Sequence, residues 1–453
     1  MRKKNKTKIK KEDNFCPKVL FQATNPMLFR TTLIGNLYEI SQVYPVVLLI
    51  GKVDSETEKV LYNKKLFPKL QKIIFSEEPF CGKILVKNHR LYKTIKKVVE
   101  NYKPDIVISD VDTYPGSLYL MRFAKKIGAV TIAIQSGFQV TDGENLCLWS
   151  CLMNSYLKMP NFLPFSVRLF FVKLKKHLGH FFYYWLLPLT VGEMPFRGKT
   201  SFVFWKISAG LRDSDYSIVF SKREYDLCVK DGVPAEKIFI LSHSLKRKAA
   251  KIFFEKVYLS KNRAKVDIKT LTLMWPSGEI ALKSNNYSLI SEKEMQKNRI
   301  EIVALITNIL KEWRIFIKPH PLVRSTKEIK ETFEPISDCV TVVEPSEPAD
   351  KYIEMSNVIV GIAQASTTLF TASLQCPEKI ILSLDLNQEF LGDSYKDFNG
   401  IEYIDSEKKL LNTLRLIRDN KYCKEYKRQS ESDFPNTIEM LNSLYKKSKM
   451  IKI

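Results

Sequence analysis

Arg314-Ile315-Phe316-Ile317-Lys318-Pro319-His320-Pro321 is an apolar run closed by two prolines. Such a run reads as a buried strand that stops abruptly, because proline cannot extend the hydrogen-bond ladder of a central strand. It leaves a lysine and a histidine at the carboxyl end of the strand, and in an open α/β sheet that is the end where ligands bind. About forty residues later, Asn357-Val358-Ile359-Val360-Gly361-Ile362-Ala363-Gln364 is a second apolar strand, and Ala365-Ser366-Thr367-Thr368 opens a helical pattern. Hydroxyls and free backbone N–H groups at a helix start suit a phosphate. Taken alone, His320 is an ordinary strand terminator and Ser366 to Thr368 an ordinary N-cap. Together, Lys318, His320, Ser366, Thr367 and Thr368 point to a site for the phosphates of a nucleotide.

Outward from these strands the chain alternates. Strand-like runs at 19–24, 45–50, 72–75, 105–109 and 130–135 are separated by helical stretches at 31–42, 91–102 and 116–127. From about 145 to 210 the rhythm fails in a segment rich in aromatic and basic residues, read as an insertion. It resumes at 216–221, a helix ending near Gly232, and 237–241. A polar, lysine-rich linker at 251–268 leads to a second alternating half, with strands at 271–276, 314–318, 340–343, 357–364 and 379–384. Strands alternating with helices at this spacing predict an α/β fold with doubly wound parallel sheets. The expected organisation is a basic tail at 1–14, a Rossmann-like domain at 15–250, the linker, a second at 269–420, and helices at 421–453.

The chain has 453 residues, enough for two or three domains, and 45% of them are hydrophobic. Lysine and arginine number 72 against 49 acidic residues, a net charge of +23 that favours an anionic partner. Eight scattered cysteines without paired zinc spacing read as reduced thiols of a cytoplasmic protein. The basic opening residues run into Glu12-Asp13 with no apolar core, so no signal peptide is expected. The most apolar stretch, 181–191, falls short of the roughly 20 residues that cross a bilayer. Residues 165–191 instead mix bulky apolar side chains with cations. That composition fits either an anionic membrane surface, reached together with the basic tail, or a packing helix with solvated lysines.

Two Rossmann-like halves with a Lys-Pro-His-Pro strand end and a later Ser/Thr-rich helix start resemble the GT-B glycosyltransferases. The likeness is to the bacterial surface-polysaccharide group that includes capsule and sialic acid transferases and the teichoic acid glycerophosphotransferases. UDP-GlcNAc 2-epimerases share the architecture. Asp231-Gly232-Val233-Pro234-Ala235-Glu236-Lys237-Ile238 is similar to the hinge approach of such proteins, and Ile134-Gln135-Ser136-Gly137 to their Gln-His-Gly turn, with serine replacing the histidine. The resemblance implies two domains facing a cleft, with the donor nucleotide on the second and the acceptor on the first. It implies that Lys318 and His320 face the donor phosphate and that Ser366 and Thr367 hold it. Gly278, Glu279 and Gln364 follow strands where donor contacts are expected, and Gln135 and Gly137 are read equally as acceptor loop or structural turn.

The chemistry so implied is transfer of a sugar from a nucleotide-activated donor to a surface polysaccharide or lipid-linked acceptor. Negative charge develops on the departing phosphate, so fixed donors aimed there are the main lever. A histidine, a lysine and a helix start can supply them without a metal ion, and no metal or cofactor is expected. The Asp110-Val111-Asp112 triplet is not read as a metal motif. A general base for the acceptor hydroxyl is expected from the first half, with Asp110, Asp112 and Glu144 as candidates. Open alternatives are a CDP-glycerol-type polyol phosphate transferase, a 2-epimerase-like enzyme and a non-enzymatic nucleic-acid-binding protein. No nucleic acid is expected as partner, because the basic residues are spread along the chain without a recognisable binding module.

Overall fold

The apolar runs become two separate parallel sheets. The computed structural model describes residues 16–24, 29–76, 85–110, 115–135, 214–230, 232–241, 269–275, 281–282, 289–290, 292–320, 326–362, 367–376, 378–386, 400–423 and 437–451, with Val167, Phe170, Phe171, Leu174, Leu178 and Phe253 singly. The first sheet holds β1 (Val19–Ala23), β2 (Val46–Gly51), β3 (Leu70–Ser76), β4 (Ile106–Ser109), β5 (Val130–Ile134), β6 (Tyr216–Val219) and β7 (Ile238–Ile240), in the order β3-β2-β1-β4-β5-β6-β7. Helices α1 (Ile34–Val43), α2 (Ser55–Leu61), α3 (Leu85–Tyr102), α4 (Pro115–Lys126) and α5 (Lys222–Lys230) form its connections. β1 and β2 are almost wholly apolar and buried because helices cover both faces of such a sheet. One face packs Phe21, Leu48 and Ile108 against Leu37 and Ile40 of α1. The other packs Leu20, Leu49 and Val107 against Tyr92 of α3 and Tyr119 and Phe123 of α4, whose rings meet edge-on at 5.1 and 4.9 Å.

The second sheet repeats the plan. β8 (Thr270–Trp275), β11 (Arg314–Pro319), β12 (Val340–Val342), β13 (Val358–Ile362), β14 (Ile380–Leu384) and β15 (Glu402–Ile404) lie in the order β12-β11-β8-β13-β14-β15, all parallel. A two-stranded antiparallel pair, β9 (Ala281–Leu282) and β10 (Leu289–Ile290), follows β8. Helices α6 (Glu292–Ile309), α7 (Lys327–Phe333), α8 (Ala349–Met355), α9 (Thr367–Gln375) and α10 (Glu407–Arg418) complete it. In both sheets the strand order reverses beside the first strand, at β1/β4 and at β8/β13, which opens a crevice at the carboxyl edge.

The alternation read from the sequence is therefore present in both halves, with several differences. The helix expected at 91–102 starts at Leu85, and α6 stops at Ile309, beyond which Trp313 donates its N–H to the Leu310 carbonyl in a turn. The short α2, α7 and α8, and the edge strand β15, were not foreseen. The insertion at 145–210 lies outside the described residues apart from the five single positions between Val167 and Leu178. Phe253, in the stretch read as linker, is fully buried in the first core, stacked on Tyr38 at 4.9 Å and edge-on to Phe67 at 5.7 Å.

A last helix, α11 (Thr437–Ile451), returns to the first half, where Met440, Leu441, Leu444 and Tyr445 join the core beneath α1. Its polar edge is fixed too. Tyr44 donates its hydroxyl to Asn442 Oδ1 at 2.5 Å, and Thr437 donates to the Glu39 carboxylate.

Candidate functional site

Of the residues singled out by sequence, the carboxyl edge of the second sheet holds Lys318, His320 and Thr368. β11 ends in Lys318 and Pro319, and the following His320 donates its backbone N–H to the Trp275 carbonyl at 2.9 Å. That bond ties the end of β11 to the end of β8, one side of the crevice. The His320 ring is half-buried, and burial, then the neighbouring Lys318 charge, lowers its pKa below the ordinary histidine value. It is therefore a neutral N–H donor near neutral pH.

Lys318 is almost fully buried, and its ammonium donates to the carbonyls of Pro319 at 2.6 Å and Pro345 at 3.1 Å. Burial brings its pKa down to about 8, against the pull of Glu347. Glu347 itself accepts from Lys351 at 2.8 Å and from the Tyr352 hydroxyl at 2.7 Å. Lys318 thus clamps the turn after β12 onto the end of β11 while leaving a positive charge beneath the site.

On the other side of the crevice, β13 runs into α9 through residues 363–366. A Cβ at Gly361 would meet Leu369 Cδ1 at 2.5 Å and Cγ at 3.0 Å, so the first turn of α9 sits directly on the strand. Only glycine leaves room for that approach. The helix start, with its positive dipole end, is thereby held at the β8/β13 crevice. Thr368 lies half-buried in that turn; Thr367 is in the helix but its side chain, like Ser366 and Gln364, lies outside the described residues. Gly278 and Glu279 also lie outside them.

Asp385, which ends β14 on the same edge, is buried and accepts from the Tyr403 hydroxyl at 2.6 Å. It was missed in the sequence, although an acidic residue closing the apolar run Ile380–Leu384 was a readable signal. In the first half, Asp110 ends β4 and accepts from both the N–H and the hydroxyl of Thr24 at 2.8 Å, joining the ends of β1 and β4. Gln135 ends β5, donating its N–H to the Ile218 carbonyl at 2.9 Å and accepting from the Phe220 N–H at 3.1 Å. Both hold strand ends together in this structure. Asp112, Gly137 and Glu144 lie outside the described residues.

Among the described residues, an ion pair of Arg30 joins the two edges. Arg30, in the turn that leads from β1 into α1, lies 3.3 Å from Glu56, 3.9 Å from Asp54 and 3.4 Å from Asp350 in the first turn of α8. Burial raises the Asp350 pKa, with Arg30 opposing. The two sheets therefore face each other across a cleft, with their carboxyl edges bridged at this point. No sequence pattern marked Arg30 or Asp350.

No protein-family model matches the chain, and no curated protein is similar to it in sequence. Solved structures are similar to it in fold over nearly its whole length. The UDP-GlcNAc 2-epimerase of Methanocaldococcus jannaschii matches at 14% identity over 94% of this chain and 99% of its own, with a TM-score of 0.56. That of Neisseria meningitidis, bound to UDP-GlcNAc, matches at 15% identity over 95% and 100%, with a TM-score of 0.54. That of Rickettsia bellii matches at 14% identity over 96% of each chain, with a TM-score of 0.51. With the two parallel sheets, these likenesses establish a GT-B-type fold: two Rossmann-like domains facing a cleft.

Proposed function

We propose that the chain is an enzyme acting on a nucleotide-activated sugar, transferring that sugar to a polysaccharide or lipid-linked acceptor without a metal ion. The observation that carries this reading is the seating of α9 on Gly361 opposite His320, across the β8/β13 crevice. There, helix N–H groups and a neutral imidazole can both donate to a phosphate oxygen as charge develops on it. Lys318 is a positioning residue in this scheme, shaping the β11 edge through Pro345 and adding a positive field. Asp112 or Glu144 of the first half supplies the base for the acceptor hydroxyl. A donor linked to CDP, with a polyol phosphate as the group moved, would use the same phosphate site.

Epimerisation at the sugar is the second reading, favoured by the fold shared with UDP-GlcNAc 2-epimerases, one of them bound to UDP-GlcNAc. Thermal melting with UDP, CMP and CDP in the presence of EDTA tests the site, since a ligand of the native state raises the melting temperature. A shift that disappears in His320→Ala is expected, along with a fall of about 10²–10³ in turnover. Absence of any shift would refute both readings. Incubation with UDP-GlcNAc then separates them: conversion to an isomer without an acceptor means epimerisation, and nucleotide release that requires an acceptor means transfer.

A further inference from the structure

We propose that α8 is a relay that carries closure of the cleft to both walls of the β8/β13 crevice, with the Arg30–Asp350 ion pair as its latch. The two side chains meet at 3.4 Å and are 17 and 25% exposed. Of the three carboxylates around Arg30, Asp54 and Glu56 belong to the first half. When the sheets part, the guanidinium therefore keeps two partners and gives up Asp350. Burial of Asp350 opposes the pairing, which leaves the latch weak enough to open.

From Asp350, α8 reaches each wall by packing and by hydrogen bonds. Towards β11, the Tyr352 ring meets Phe316 edge-on at 5.4 Å, with Val343 in the same cluster. Lys351 and the Tyr352 hydroxyl hold Glu347, two residues beyond the Pro345 carbonyl that Lys318 grips at 3.1 Å. His320 follows Lys318 by two residues, so a shift of this turn is felt at the imidazole. Towards the helix start, Ile353 shares a core cluster with Leu369 and Ala372 of α9, and Leu369 is the residue seated on Gly361. Lys379, just beyond α9, donates to the carbonyls of Ile353 at 2.6 Å and of Glu354. Close-packed interiors transmit a displacement rather than absorb it. A move of α8 at Asp350 thus changes the β11 edge and the α9 start together, and by linkage a ligand held between them draws the cleft shut. The use of this relay rests on the proposed nucleotide site, but its mechanics can be read without a ligand.

The test compares the full-length wild type with Asp350→Asn and Arg30→Gln, all free of nucleotide. Small-angle X-ray scattering should give a larger radius of gyration for both variants. A Glu56→Gln control, which takes a carboxylate from the same arginine within the first half, should match the wild type. NMR titration with isotope-labelled histidine, the His320 signal being identified by its loss in His320→Gln, should show the His320 pKa rising in both variants towards the ordinary histidine value. Opening relieves the burial and the Lys318 charge that together hold it down. Asp350→Asn is isosteric and leaves Arg30 two carboxylates, so it should fold even if Arg30→Gln does not. Unchanged scattering in Asp350→Asn, or equal opening in Glu56→Gln, would overturn the latch. Opening with an unmoved His320 pKa would overturn the relay. Failure of every nucleotide to bind would instead refute the proposed chemistry and leave both of these readouts standing.

Discussion

Lys318 carries its charge where water barely reaches, held by two backbone carbonyls. Its folded pKa of about 8 lies below the ordinary 10.5, so between those values the unfolded chain keeps a proton that the native state has shed. The linkage sign is then fixed: stability rises with pH across that window and falls as pH drops back towards 8. The slope is at most about 1 kcal/mol per pH unit, reduced by solvent screening. Urea unfolding on either side of pH 8 should show this rise in wild type but not in Lys318→Met. Parallel curves for the two would mean that the ammonium is not desolvated. Lys318 and His320 were legible because prolines stop the strand beside them. Their partners were not: nothing local tells that Lys318 will bond Pro345, or that Arg30 will meet Asp350, since those pairings exist only once the sheets face each other.

At the level of the element, the close approach of α9 to β13 rests on one missing methyl group. Gly361→Ala must push Leu369 aside and should cost about 1–3 kcal/mol, as overpacked cores do. Leu369→Ala alone should cost about 2–5 kcal/mol by leaving a cavity. In the double variant the new methyl group occupies part of that cavity, so the combined loss should be smaller than the sum. Additive losses in denaturant titrations would mean that the two sites do not touch. Strands and long helices were readable because buried apolar runs and long amphipathic periods carry their own signal. α2, α7 and α8 span only seven residues each and are rich in charge, too short for a period to emerge. Gly361 itself sat in plain view, yet its importance lies in Leu369 and not in any turn.

For the whole molecule, α11 matters most, because the first core is incomplete without it. Burial of Met440, Leu441, Leu444 and Tyr445 at about 1.5–3 kcal/mol each gives an upper bound of about 6–12 kcal/mol. That is comparable with the entire stability of a domain, about 5–15 kcal/mol. Deletion of residues 437–451 should therefore leave the first half unfolded or molten while the second half keeps a cooperative transition in calorimetry. Two intact transitions would show that α11 is only an ornament on the surface. The two-domain plan was legible from alternation, but the return of the chain to its first half was not, since an amphipathic helix does not say which core it will cover. The order of manufacture gives this return a biological edge. A ribosome adding roughly 5–20 residues per second needs roughly 10–40 s to travel from β7 to α11. Throughout that interval the newborn first half shows an unfilled groove, so chaperones have a long appointment with this protein before it can close.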